Sequence, residues 1–288
     1  MASIKELRQK IVSLKNTNKI TSAMKLVASS KLKKAQDALH RNQPYLRSLD
    51  EVVKRVMSCA DDIDVNFMKP VESPKNIRII LLSTDKGLCG SFNANLMKLL
   101  HAELKGKWIN TNVELIAVGK KGSEYFTRRC PVKNLESKPG LPAKIPISAA
   151  LEIADKAISD FSYRNIDAVY VVYNHFSSMI LQTPVIESIL PIKVPEEKEK
   201  VSLDYEFEPN AEEMLKSIVP QLVQATIYRA MLENVLGENV ARMNAMENAT
   251  KNSKDLISRY TLTMNRARQS AITTELSEIV AGAESLKN

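Results

Sequence analysis

Cysteine is scarce in this 288-residue chain: Cys59, Cys89 and Cys130 are the three present, an odd number with no C-x-x-C pair. That pattern supports neither a disulfide framework nor a zinc site and points to a reducing compartment. No apolar run reaches the roughly 18 residues that a bilayer-spanning helix needs. The N-terminus opens directly on a basic amphipathic pattern, without the apolar core of a signal peptide. The pattern continues past any transit-peptide cleavage point, so the chain reads as mature sequence. Aromatics make up 5 % of the residues, and none separates Lys31, Lys33 and Lys34, which argues against base stacking. His40, His101 and His175 lack metal-ligand spacing. His175, following Asn174, is a candidate base with Asp85, but it has no evident nucleophile to serve. Neither G-x-G-x-x-G, nor a phosphate-binding G-x-x-x-x-G-K-[ST], nor a G-x-S-x-G turn occurs. No catalytic, cofactor-binding or metal site is therefore expected.

Helix breakers are also missing from both ends. Residues 221–288 contain no proline and only two glycines, Gly237 and Gly282. From Ile218 to Ala281, alternating steps of three and four mark nineteen positions, thirteen of them apolar or aromatic. A mean spacing of 3.5 is the mark of a coiled-coil seam rather than of a helix lying on a globular core. At 1.5 Å per residue this helix would run roughly 100 Å and so demands a partner along its length. The same spacing runs from Ile4 to Val56, with twelve of sixteen positions apolar. Asn18, Thr21 and Lys25 interrupt that second seam together, as polar residues that fix register do. Pro44 is its one breaker and is expected to kink or divide the helix. Paired with the first helix, of roughly 80 Å, the C-terminal helix is the longer, and its tip is expected to project alone.

The middle of the chain has another character. Residues 61–76 read as a linker. Residues 77–83, 113–118 and 167–173 are short buried strands, alternating with a helix over 92–104, a short one that follows Gly119-Lys-Lys-Gly122 and runs to Arg128, and one over 147–161. The stretch from Pro131 to Pro146 holds four prolines and reads as irregular, and 179–190 reads as an edge strand before Pro191. Alternating strands and helices imply a parallel sheet with crossovers. Residues 195–213 read as a second linker. The expected fold is a Rossmann-like α/β domain at 77–194, inserted between a long N-terminal helix at 1–60 and a long C-terminal one at 214–288, the two ends forming a long antiparallel α-helical coiled coil.

Charge divides unevenly. Residues 1–60 hold thirteen Lys and Arg against four acids, a net of +9 within a chain of +8, so the other 228 residues carry −1. A basic first helix suits nucleic acid, anionic lipid or an acidic protein surface, or is simply a solvated face. Gly87-x-x-Gly90 and Gly119-Lys-Lys-Gly122 follow the first two strands. Paired glycines there serve turn geometry more often than ligands. A nucleic-acid-binding coiled coil using Gly119–Gly122 as a G-x-x-G clamp is one alternative function; an enzyme with coiled-coil arms is another. The net −1 around the G-x-x-G loops weakens the first, and the missing site constellations weaken the second.

The C-terminal tip contains Ile272-Thr273, Glu275, Glu278 and Gly282-Ala283-x-Ser285, which resembles the signature of the gamma subunit of the F-type rotary ATP synthase. The stretches 19–28, 84–93 and 242–250 resemble the same family, so the likeness covers essentially the whole chain. It implies a non-catalytic shaft surrounded by alternating alpha and beta subunits, with the α/β domain at the foot on the epsilon subunit and the c-subunit rotor ring. The role implied is to couple proton-driven rotation to the conformational cycling of the catalytic beta subunits that make ATP from ADP and phosphate. By position it implies partner contacts for Met24 and Lys25 at an acidic loop of beta and for Arg242 at the same collar. It implies contacts for Arg268, Gln269, Thr273 and Glu275 within the hexamer, and for Tyr205 and Glu208 at the foot. It implies no nucleic acid, no small-molecule substrate and no cofactor, and a peripheral place on the cytoplasmic face of the bacterial inner membrane. No cysteine follows Cys130, so the inserted redox pair of photosynthetic gamma subunits is expected to be missing.

Overall fold

A computed structural model describes residues 3–59, 66–69, 71, 73–192, 208 and 210–285. Two helices dominate: α1, Ile4–Cys59, and α5, Ala211–Ser285. Between them come β1 (Asn76–Leu82), α2 (Phe92–Lys105), β2 (Asn112–Val118), α3 (Lys120–Arg128), β3 (Asn134–Lys138), α4 (Ile147–Ser162), β4 (Ala168–Phe176) and β5 (Gln182–Leu190). Contacts divide the chain into two compact units, one of Met1–Ala28 with Met243–Asn288 and one of Ser29–Arg242. Each unit takes a stretch of both long helices.

In the first unit α1 and α5 run antiparallel. Lys10 stands over the Tyr260 ring at 5.9 Å, and Lys25 meets Glu247 at 2.9 Å. Leu7, Ile11 and Ala28 are buried at their expected seam positions. Each large aliphatic side chain taken wholly from water there contributes about 2 kcal/mol. The polar interruption finds its match across the seam: Asn18 Nδ2 donates to the Thr250 carbonyl at 2.8 Å, and the Thr21 and Thr250 hydroxyls lie 2.7 Å apart. Thr21 is 8 % exposed, so this pair sits inside the seam and can form in one register only.

The second unit is built on a five-stranded sheet of order β3-β2-β1-β4-β5. The four strands β1 to β4 are parallel, joined by crossover helices, and β5 adds an antiparallel edge. β1 is almost wholly buried because both faces of the sheet are covered. Leu96, Met97 and Leu100 of α2 and Phe126 of α3 pack on Ile77, Ile79 and Leu81. α5 packs on β4 and β5: Asn234 Oδ1 accepts from the Asn174 N–H, and a Cβ on Gly237 would come within 3.1 Å of the Phe92 ring. To admit a methyl there the Phe92 ring would have to give by a few tenths of an ångström.

Four expectations change. Pro44 does not divide α1, which runs unbroken through it; Pro44 and His40, whose carbonyl loses its donor, are both exposed, so water can satisfy that carbonyl. The proline-rich stretch before α4 contains the strand β3, held by parallel pairing with β2. The stretch of α5 preceding Met243 is not a pure coiled-coil seam: residues 230–237 are all buried, polar ones included, because the sheet covers the side that α1 leaves open. The stretch expected as a first linker also carries structure. Phe67 stacks on Phe161 with ring centroids 6.2 Å apart, and its carbonyl accepts from the Ile192 N–H.

Candidate partner interface

The surface of the first unit is dominated by the end of α5. From Ile272 to Ala283 every residue is exposed. Ile272, Leu276, Ile279 and Val280 are 48, 57, 67 and 61 % exposed, and their spacing places them on one stripe of the helix. The hydroxyls of Thr273, Thr274 and Ser277 bond back to carbonyls of their own helix, which leaves Glu275 and Glu278 as the charged groups between those aliphatics. An unshielded apolar helix end of this kind is an aggregation hazard unless another protein covers it. Arg268, Gln269, Thr273 and Glu275 are all exposed on this segment, and α5 alone positions them.

Met24 and Lys25 are half-buried on α1, in the same unit. Lys25 already has an intrachain partner in Glu247, an exposed ion pair worth at most about 1 kcal/mol and so easily exchanged for another acid. Residue spacing marked Lys25 but not its partner across the seam. Ile20, Leu26 and Val27 were missed as well: they lie off the seam and are 57–69 % exposed, an apolar patch beside Lys19 and Lys25. Their departure from the 3.5 pattern within 19–28 was the available signal.

Arg242 belongs to the other unit and is engaged there. Its guanidinium bonds to Glu238 at 2.6 Å and to the carbonyls of Lys86 and Gly87, with 13 % of the side chain exposed. Burial raises the Glu238 carboxyl above its ordinary pKa, against the lowering pull of Arg242. Arg242 thus clamps the loop after β1 onto α5. Glu208 is exposed, and Tyr205 lies outside the described residues.

The two glycine loops serve geometry. Gly119 has φ of +97°, and a Cβ there would overlap the Ser83 carbonyl; Gly122 N–H donates to Ser83 Oγ at 2.9 Å. Asp85 Oδ1 accepts from the N–H groups of Lys120 and Gly140, tying three loops together. The backbone donor of Lys120 that a phosphate clamp would use is thereby occupied. His175 Nδ1 lies 2.6 Å from Glu233 of α5, and Asp85 accepts instead from the N–H groups of Lys120 and Gly140. Among the described residues no helix is long and apolar enough to cross a membrane.

A mixed α/β sheet domain, inserted between the two strands of an antiparallel helix pair whose longer member ends bare and apolar, defines a helical stalk protein. A family model described as ATP synthase matches residues 3–286. A relative named ATP synthase gamma chain from Pelotomaculum thermopropionicum is 40 % identical over 288 residues, covering all of both chains. Its namesake from Desulforamulus reducens is 41 % identical over the same span. Among solved structures, a central-stalk chain of the Tetrahymena thermophila mitochondrial ATP synthase matches with a TM-score of 0.59 and 25 % identity, over 80 % of this chain and 99 % of that one. A chain of the Euglena gracilis enzyme matches in fold with a TM-score of 0.69 at 20 % identity, over 98 % and 94 %. The chain belongs to the ATP synthase gamma chain family. Membership over its full length leaves the nucleic-acid clamp without support.

Proposed function

We propose that the chain is the non-catalytic rotor shaft of an F-type ATP synthase. Rotation of the c-subunit ring, driven by protons, turns it inside the ring of alpha and beta subunits, and the epsilon subunit binds its foot. The complex holds it at the cytoplasmic face of a bacterial inner membrane, peripherally. The shaft takes no nucleic acid and no small-molecule substrate. Met24, Lys25, Arg242, Arg268, Gln269, Thr273, Glu275, Tyr205 and Glu208 are its proposed partner contacts, Arg242 through the loop that it clamps.

One observation carries this reading: the end of α5, with Ile272, Leu276, Ile279 and Val280 uncovered, needs a protein sleeve. An apolar tip inside an apolar sleeve makes few directional bonds and can turn, whereas a ring of ion pairs would hold one angle. Further from the tip, Lys25 and its neighbours supply directional charge. A turning shaft shifts each beta subunit only by the difference in its affinity for that subunit's states, and an asymmetric pair of helices presents a different face to each. The test is reconstitution with alpha and beta subunits. Full chain is expected to yield a complex whose ATP hydrolysis drives proton pumping when joined to the membrane sector, whereas chain ending at Thr274 should give weaker assembly and weaker coupling. Equal assembly and equal pumping from both would overturn the assignment of the tip.

A further inference from the structure

Within the second unit, α1, α5 and the segment leading into α4 enclose a cavity of about 450 Å³. Its floor is apolar: Ala35, Ile145, Leu232 and Val235 are each 5 % exposed or less. Tyr228 forms one wall, and its hydroxyl donates to the Ile145 carbonyl at 3.3 Å, which holds the 143–145 segment against α5. The rim differs from the floor. Lys34, Arg41 and Lys144 stand there against a single acid, Asp37. Among the described residues none of these three cations is in an ion pair, with Asp37 or with any other acid.

Size and lining both fit a ligand site: an apolar pocket of some hundreds of Å³ with a few charged groups at its mouth. The chemistry narrows the ligand. An inorganic anion would lose its hydration against a floor with no donor to replace it. A neutral hydrocarbon would fill the floor and leave the cations unused. A molecule with an apolar chain and a single anionic head satisfies both parts.

We propose that this cavity binds an amphipathic anion of the medium-chain fatty-acid class. The chain lies on Ala35, Leu232 and Val235, and the carboxylate sits among Lys34, Arg41 and Lys144. The site is independent of the tip of α5 and of the shaft reading.

The test uses the full chain and a decanoate carrying a photoactivatable diazirine, with labelled residues mapped by peptide mass spectrometry. Label is expected in residues 34–41, 143–145 and 228–235. Unlabelled decanoate should compete, and decanol, which lacks the charge, should compete roughly tenfold more weakly. Arg41→Glu combined with Lys144→Glu changes two exposed side chains and should cut labelling roughly tenfold. Ala38→Phe should abolish labelling by filling the space, with an unchanged circular dichroism spectrum. Label scattered over exposed apolar residues such as Ile180, competition by decanol equal to that by decanoate, or labelling unaffected by charge reversal would each overturn the proposal.

Discussion

Arg229 of α5 grips Glu187 of β5 with both carboxylate oxygens in reach: Nη2 lies 2.6 Å from Oε1 and 2.7 Å from Oε2. The other guanidinium nitrogen bonds to Glu233 at 2.8 Å and to the Tyr173 hydroxyl at 3.1 Å. Glu233 in turn reaches His175 of β4. One arginine thus joins the long helix to two strands. Burial alone would lower the pKa of Arg229, but Glu187, Tyr173 and Glu233 outweigh it and raise it. Burial also pushes the Tyr173 phenol far up, so it remains a neutral donor.

Arg229→Met should therefore cost the second unit about 3 kcal/mol, because it leaves two carboxylates in a part-buried site without their cation. Chemical denaturation followed by circular dichroism measures this. A loss within 0.5 kcal/mol would mean that the joint rests on apolar packing alone.

Asp160 sets an acid limit. Burial raises its carboxyl, but the hydrogen bond and charge of Arg78, helped by Asn165 and Lys156, outweigh this and hold it below the ordinary aspartate value. Arg78 is nearly wholly buried and lies 2.5 Å from Asp160 and 2.7 Å from Glu114. A depressed pKa means that the unfolded chain binds the proton more readily than the folded one. The contribution is then fully present above the unfolded aspartate value and is lost as pH falls through the lowered one. Melting temperature should fall below about pH 4. Asp160→Asn should lower it at neutral pH and flatten the fall in acid; a parallel acid profile in the variant would contradict the assignment.

The Thr21–Thr250 pair should matter for register more than for stability. Replacing both with valine removes donor and acceptor together, which costs little. Replacing Thr21 alone strands the Thr250 hydroxyl less severely than it would a charge, since that hydroxyl also reaches the Met246 carbonyl. The double variant is expected to melt within about 0.5 kcal/mol of the parent. Its spin-label distances across the seam should broaden, as when a polar seam layer is lost. Unchanged distances would assign register to the flanking aliphatics instead.

Gly119→Ala should be the most damaging single methyl. The residue sits at φ +97° with the Ser83 carbonyl where a Cβ would go. Strain of about 1–3 kcal/mol from the backbone adds to the overlap. A thermal melt that moves by less than a degree or two would mean that the loop relaxes freely.

Much of this architecture was legible because its signals are periodic. The seam of α1 was read correctly from Leu7 to Val56, since each seam residue there is buried or half-buried. β1, β2 and β4 were equally legible as short apolar runs. β3 was hidden because Asn134–Lys138 is mostly polar and lies at a sheet edge, where Glu136 and Lys138 find ion-pair partners in Lys156 and Glu152 rather than in a core. The contact of α5 with the sheet was hidden because a 3.5 repeat reports one stripe only. Glu233 and Asn234 lie off that stripe, yet Glu233 is 6 % exposed and paired with Arg229, and Asn234 bonds to the β4 backbone. The candidate contacts at the tip were legible as a motif. The role of Arg242 within its own chain was not, because Lys86 and Gly87 come to it only through the fold.

The account stands on the chain being a shaft that turns against the subunits around it. The direct measurement fixes the reconstituted alpha and beta ring to glass, attaches a bead to Cys130 of the α/β domain, and adds ATP. The account predicts unidirectional turning of the bead that stops when ATP is exhausted. A bead that stays still while the same complexes hydrolyse ATP would contradict it.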